Sequence, residues 1–203
     1  MTLTEDRSAP VTETGTNEAR RAMVSSQLRT SGINEPWVLT AMASVAREDF
    51  VPADWKAAAY IDRAVPLGEG RFLAAPLFYG AALTEADPTQ AKKILLVGDA
   101  NGYFAALLRT LVAQFDTITP AEALVAGPGG YDLVIVDGAA EELPEALVAR
   151  LEDGGRVVTG EILRGVSRLA VGCKTAGTLA LLPVSEMGIP AVGEFAAPKR
   201  WTF

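Results

Sequence analysis

The sequence predicts an α/β fold: a doubly wound, Rossmann-like parallel sheet with an N-terminal helical extension and a C-terminal antiparallel strand pair. Three observations carry that reading. Residues 93–97 form a short apolar run, the turn Gly98-Asp99-Ala100-Asn101-Gly102 follows at once, and residues 104–112 have the spacing of an amphipathic helix. Residues 131–137 are almost continuously apolar, as expected of a parallel strand buried on both faces. Strand-like and helical runs then alternate until Gly160, after which two further strand-like runs, 166–173 and 178–184, follow with no helix between them.

Taken in order, residues 1–18 are polar, carry no apolar signal core and read as a disordered tail. Residues 19–203 read as one domain, divided into a helical preamble, 19–75, and a Rossmann-like core, 76–203. In the preamble, residues 18–30 have helical spacing and stop at Ser31-Gly32. Asn34 is placed to cap a second helix, with Pro36 just inside it. Arg47-Glu48-Asp49-Phe50-Val51-Pro52 ends that helix, residues 53–60 form a short helix or turn, and residues 62–72 form a loop. Arg47 and Glu48 read as a structural ion pair. Pro76 starts the helix that leads into the core.

Beyond the glycine turn, residues 115–118 form a weak strand. Thr119-Pro120-Ala121-Glu122 is a compact helix start, with Thr as the cap, Pro at the first helical position and Glu at the third. Gly127-Pro128-Gly129-Gly130 stops that helix early. Residues 143–151 form the next helix, with Pro144 in its first turn, and residues 156–160 the next strand.

Composition narrows the function classes. With 203 residues and 49% hydrophobic content, the chain suits a single α/β domain with a sizeable core. A net charge of −7 argues against a nucleic-acid partner held through phosphates. The absence of histidine excludes histidine-based general-base catalysis and removes the commonest metal ligand, so no metal site is expected. Cys173 is the one cysteine; it excludes an internal disulfide and reads as a small buried hydrophobe. No apolar run reaches about 18 residues, so no membrane span is expected and a cytoplasmic location is.

Several stretches together resemble the protein-L-isoaspartate O-methyltransferases, a family with the class I S-adenosylmethionine-dependent methyltransferase fold. They are Met23-Val24-Ser25-Ser26-Gln27-Leu28-Arg29, Val45-Ala46-Arg47-Glu48-Asp49-Phe50-Val51-Pro52, Tyr60-Ile61-Asp62 with Pro66-Leu67-Gly68-Glu69-Gly70, Val97-Gly98 with Gly102-Tyr103, and Pro144-Glu145-Ala146-Leu147 before Asp153-Gly154-Gly155-Arg156. The terminal Trp201-Thr202-Phe203 is similar to the aromatic-x-Phe ending of a short bacterial branch. The resemblance implies methyl transfer from S-adenosyl-L-methionine to the carboxylate of an isoaspartyl residue in a damaged protein or peptide. That carboxylate is already a nucleophile, so positioning and exclusion of water are the main tasks. It also points to Gly98, Asp99, Gly102, Tyr103 and Asp137 as the residues around the cofactor.

The chain departs from the family pattern at three places. Where the family carries a Thr-Ile-Ser-Gln-Pro segment that holds the substrate carboxylate, this chain has Phe72-Leu73-Ala74-Ala75-Pro76, so Ala74 stands at the serine position. Leu96 replaces an acidic residue that in related enzymes helps hold the methionine part of the cofactor. Ala100 replaces a glycine, which is expected to strain the turn by roughly 1 kcal/mol if its φ is positive. Asp99 brings a negative charge near the cofactor's own carboxylate unless it turns to solvent. The third departure is length. Only residues 119–130 separate the second and third core strands, and twelve residues span about 40 Å at most. One short helix fits; a helix and a further strand do not. A sheet lacking one edge strand is expected, with Asp116 and then Glu122 as the nearest acids for a ribose. Two readings follow. One is a degenerate member with weak or no activity, a pseudoenzyme that serves through binding; the other is an active carboxyl methyltransferase on isoaspartyl or another carboxylate. An exposed sheet edge would offer a surface for a homodimer.

Overall fold

The computed structural model describes residues 13–198. Most of the segment read as a tail, 1–12, and the terminal Trp201-Thr202-Phe203 lie outside the described residues. The helix expected from residue 18 starts earlier, as α1 (Glu13–Met23). It runs on through a wider π turn, Val24–Leu28, and a tighter 3-10 turn, Arg29–Ser31. Gly32 ends it at φ 92°, where a glycine is at ease. Helix α2 (Pro36–Ser44) has Glu35, not Asn34, at its cap, and no side chain caps it. Pro36, with φ already helical, is start signal enough.

The loop expected over 62–72 is instead a hairpin, β1 (Val65–Gly68) with β2 (Arg71–Leu73). Gly68, Glu69 and Gly70, all at positive φ, close its turn. Pro66 and the glycines hid this pair from a reading based on apolar alternation. Helix α3 (Pro76–Ala86) follows, and then the core units β3 (Ile94–Val97), α4 (Tyr103–Leu111), β4 (Asp116–Ile118), α5 (Pro120–Ala123), β5 (Tyr131–Ala140), α6 (Glu145–Arg150) and β6 (Leu151–Leu163). The chain ends in β7 (Val166–Thr175) and β8 (Thr178–Glu186).

The sheet order is β4-β3-β5-β6-β7-β8. The strands are parallel from β4 to β6 and antiparallel from β6 to β8. As expected, the sheet lacks a further edge strand, and β4 itself is the edge, three residues long. Alternate residues of β3 and β5 serve opposite faces. Ile94, Leu96, Leu133 and Ile135 join the core under α2, α3 and α4. Leu95, Val97, Val134 and Val136 join a smaller core under α6 and Phe195. The face with the longer helices carries more of the buried aromatic mass, including Phe78, Tyr79, Tyr103 and Phe104. Cys173, read as buried, is exposed. It lies near the β7–β8 turn, where much of the hairpin is solvated.

Candidate active site

The strand order reverses between β3 and β5, which pair in parallel with Val97 opposite Val136. Open α/β sheets form a ligand crevice at such a point. Here a cleft of ≈ 1060 Å³ opens, and Gly98, Asp99, Gly102, Tyr103 and Asp137 all line it. Gly98 follows β3 directly, its N–H bonded to the Ile118 carbonyl at 2.9 Å. A Cβ on Gly98 would stand 3.0 Å from the Asp137 Cβ, so the missing side chain is what lets the two strand ends close up. Gly102 caps α4 without a side chain, leaving the first N–H groups of a nine-residue helix uncapped from that residue.

Asp99 resolves its charge problem by turning outward. Its side chain is 57% exposed, its Oδ1 accepts from the Asn101 N–H at 2.8 Å, and Arg71 stands 3.9 Å from Oδ2. Ala100 does not have positive φ, so the expected strain is absent. The turn bends through Asp99 and Asn101 without asking a left-handed conformation of its alanine. Tyr103 is 1% exposed and serves mainly as packing. Its hydroxyl faces the Met42 sulfur at 3.8 Å, and its ring meets Tyr79 edge-on with centroids 5.0 Å apart.

Beneath the cleft, behind Tyr79 and Tyr103, lies what sequence reasoning missed. Arg47 does not pair with Glu48. It runs inward, fully buried, and donates from Nε to the Ala59 carbonyl and from Nη2 to the Ala74 carbonyl, both at 2.5 Å. Its guanidinium lies over the rings of Tyr79 and Tyr103 at 5.6 and 5.3 Å. Burial holds its pKa below the usual arginine value. Its Nη1 is buried without a hydrogen-bond partner among the described residues. Glu48 instead receives Arg20 at 2.9 Å and the Tyr60 hydroxyl. Tyr60 is pushed up to about 12, first by burial and then by Glu48.

Asp137, at the open end of β5, is mostly buried, and burial pushes its carboxyl up to about 7. The nearby Tyr79 hydroxyl and the Arg47 guanidinium oppose the rise, while Asp99 adds to it. Tyr79 also accepts from the Ala74 N–H at 3.2 Å. Ala74 is thus 2% exposed with both backbone groups held, and it presents no polar side chain. The segment 190–192 closes the rim. Ala139 donates to the Pro190 carbonyl and Val192 donates to that of Ala139, each at 2.8 Å. Gly138 (φ 148°) makes room, since a Cβ there would meet Val192 Cγ2 at 2.7 Å.

The β4 side is thinner. Thr119 and Glu122 form the expected capping box, with Glu122 Oε2 2.8 Å from the Thr119 N and 2.9 Å from Oγ1, and both residues line the cleft. Asp116 is excluded as a ribose ligand: it starts β4, away from the cleft, and accepts from the Tyr131 hydroxyl at 2.8 Å. Arg150 pins the short crossover, donating to the carbonyls of Glu122 and Val125 at 2.8 and 3.0 Å.

The family model of protein-L-isoaspartate(D-aspartate) O-methyltransferase matches residues 18–124, more than half of the chain. The chain belongs to the protein-L-isoaspartate O-methyltransferase family. A family protein of Koribacter versatilis is 32% identical over 86% of this chain and 90% of its own length. One of Methanoculleus marisnigri is 29% identical over 87% and 92%. Among solved structures, a protein-L-isoaspartate O-methyltransferase superposes with TM-score 0.66 at 16% identity, covering 87% of this chain and 67% of that one. A Plasmodium falciparum protein of the same type, in complex with S-adenosyl-L-homocysteine, gives 0.64 at 16%, covering 88% and 98%. At that identity the superpositions speak for the fold, the Rossmann-like methyltransferase sheet with its antiparallel strand pair.

Proposed function

We propose that this family member binds S-adenosyl-L-methionine in the cleft and is degenerate for the family reaction, methylating isoaspartyl carboxylates weakly or not at all. Binding is supported by the residues present. Gly98 brings its backbone to the cleft lining, the α4 N-terminus offers N–H groups, and the volume suits a nucleoside-sized ligand. Gly98 and Gly102 would hold the ligand by backbone contacts, and Glu122, the acid nearest the end of β4, would take a ribose hydroxyl. The cofactor supplies an electrophilic methyl group when bound.

Impaired transfer rests on the polarity of the cleft. Asp49, Glu69, Asp99, Glu122, Asp137 and Glu194 line it against a single lining cation, Arg71. A carboxylate acceptor enters against that field, and the family's serine position is taken by Ala74, which is buried and offers no hydroxyl to orient it. The backbone around Ala74 is held by Arg47 and Tyr79, so it cannot shift to offer its own N–H.

The test is calorimetric titration with S-adenosylhomocysteine, followed by a methyl-transfer assay on an isoaspartyl peptide beside an active family enzyme. Binding is expected in the micromolar range, and transfer about a hundredfold or more below the reference enzyme. Transfer at parity with the reference would establish the alternative, an active carboxyl methyltransferase, and sink the reading of degeneracy.

A further inference from the structure

A second chamber of ≈ 660 Å³ lies beside the cleft and shares Gly70, Phe72, Pro190 and Ala191 with its lining. The chemistry changes across that common border. The cleft is lined by six acids and one arginine. The chamber has one acid and one arginine, Asp62 and Arg63, and is otherwise walled by groups such as Phe72, Leu77, Phe78, Met187 and Ile189. The polar side chains on that wall already have partners. Asp62 Oδ1 accepts from the Leu77 N–H at 3.3 Å, and the Arg63 guanidinium lies over the Trp55 ring at 5.8 Å. The Ser167 hydroxyl donates to the Met187 carbonyl at 2.7 Å and accepts from the Ile189 N–H at 3.1 Å. Ala75, at the glutamine position of the family segment, lines the chamber without an amide. Such a wall favours an apolar guest, because a polar one would give up water without finding new hydrogen bonds.

We propose that this chamber is the subsite for the apolar body, aromatic or branched aliphatic, of the molecule that binds beside the cofactor, and that Phe72 and Ala75 set that preference. The proposal rests on the reading that the cleft binds S-adenosyl-L-methionine, which makes the chamber the neighbouring subsite. Its volume falls within the range of small-molecule sites. Phe72 is 49% exposed and belongs to both linings, so a guest that crosses the border covers its ring. The chamber wall is also fixed. Met187 donates to the Ser167 carbonyl at 3.3 Å, and Pro190 accepts from the Ala139 N–H at 2.8 Å, so the segment 187–191 is tied to the ends of β5 and β7. A ligand recognised through an apolar body need not carry the carboxylate that the acidic cleft opposes. The same chemistry has two sources, a free small molecule and the apolar side chain of a peptide.

The test uses N-phenylnaphthylamine, a neutral fluorophore that brightens in apolar surroundings, titrated into the full chain with and without S-adenosylhomocysteine. Micromolar binding is expected, unchanged by saturating S-adenosylhomocysteine. Two variants follow: Ala75→Gln, which places an amide in the chamber, and Phe72→Ser, at an exposed position that a small polar residue suits. Each is expected to weaken the probe about tenfold. Competition by naphthol and by the neutral peptide N-acetyl-Gly-Phe-Gly-amide identifies the source. Displacement by naphthol alone marks a free small molecule, and displacement by the peptide as well marks a side chain. No probe binding, displacement by neither competitor, displacement by S-adenosylhomocysteine, or equal affinity in the wild type and the folded variants would overturn the subsite. The competition arms need no variant, so they decide the matter even if both substitutions fail to fold. Heat from S-adenosylhomocysteine alone keeps the two readings apart. A protein that binds the probe through Phe72 and Ala75 but gives no such heat would overturn the cofactor reading and keep the apolar subsite.

Discussion

On the β3–β5 side, the cleft rests on the core. Arg47 and Tyr79 are fully buried, Tyr103 is 1% exposed, and Ala74 is held through the first two. On the β4 side, a four-residue helix and a glycine-rich run make the whole crossover, and Leu124 and Val125 stand 48% and 60% exposed. The first side owes its shape to residues distant in sequence. The second owes it to one capping box and one arginine. One wall of the cleft is deeply packed and the other is trimmed.

Three substitutions test that contrast. Arg47→Ala should have the largest effect, because it strands two buried carbonyls and removes a cation from between two tyrosine rings. A loss of about 3 kcal/mol in urea-unfolding free energy is expected; a loss under about 1 kcal/mol would mean that the floor does not depend on it. Arg150→Ala should come second, at about 2 kcal/mol, since it frees the carbonyls of Glu122 and Val125. Hydrogen exchange at residues 119–130 should speed up while the amides of β3 and β5 stay protected. Faster exchange in both regions would erase the distinction between the two walls. Thr119→Ala should be mildest, at about 1 kcal/mol by thermal unfolding, for the loss of an exposed helix cap. It should also weaken nucleoside binding if Glu122 needs the capping box to stay over the cleft.

What was legible in the residues follows this division. The helix start at Thr119 and Glu122 and the shortness of α5 are local features, set by a cap pair three positions apart and a glycine-rich stop, and both are read directly from the residues. The run at 131–137 announced β5 because a strand covered on both faces needs apolar residues at successive positions. The inward path of Arg47 had no such signal. An arginine before a glutamate looks like a surface pair, and only the packing of α3 and α4 above it shows two tyrosine rings and two carbonyls waiting for a guanidinium.

The sequence by itself determined the family, the doubly wound sheet implied by its βαβ pattern, the shortened crossover and the alanine at the family's serine position, because each is a matter of residue type, spacing or length. The tertiary structure alone decided that Asp99 turns to solvent, that Ala100 is unstrained, that Asp116 lies away from the cleft and that Asp137 is mostly buried near Arg47. Orientation and desolvation belong to the environment built by residues far apart in the chain, and a carboxylate has no sequence signature for the groups that surround it.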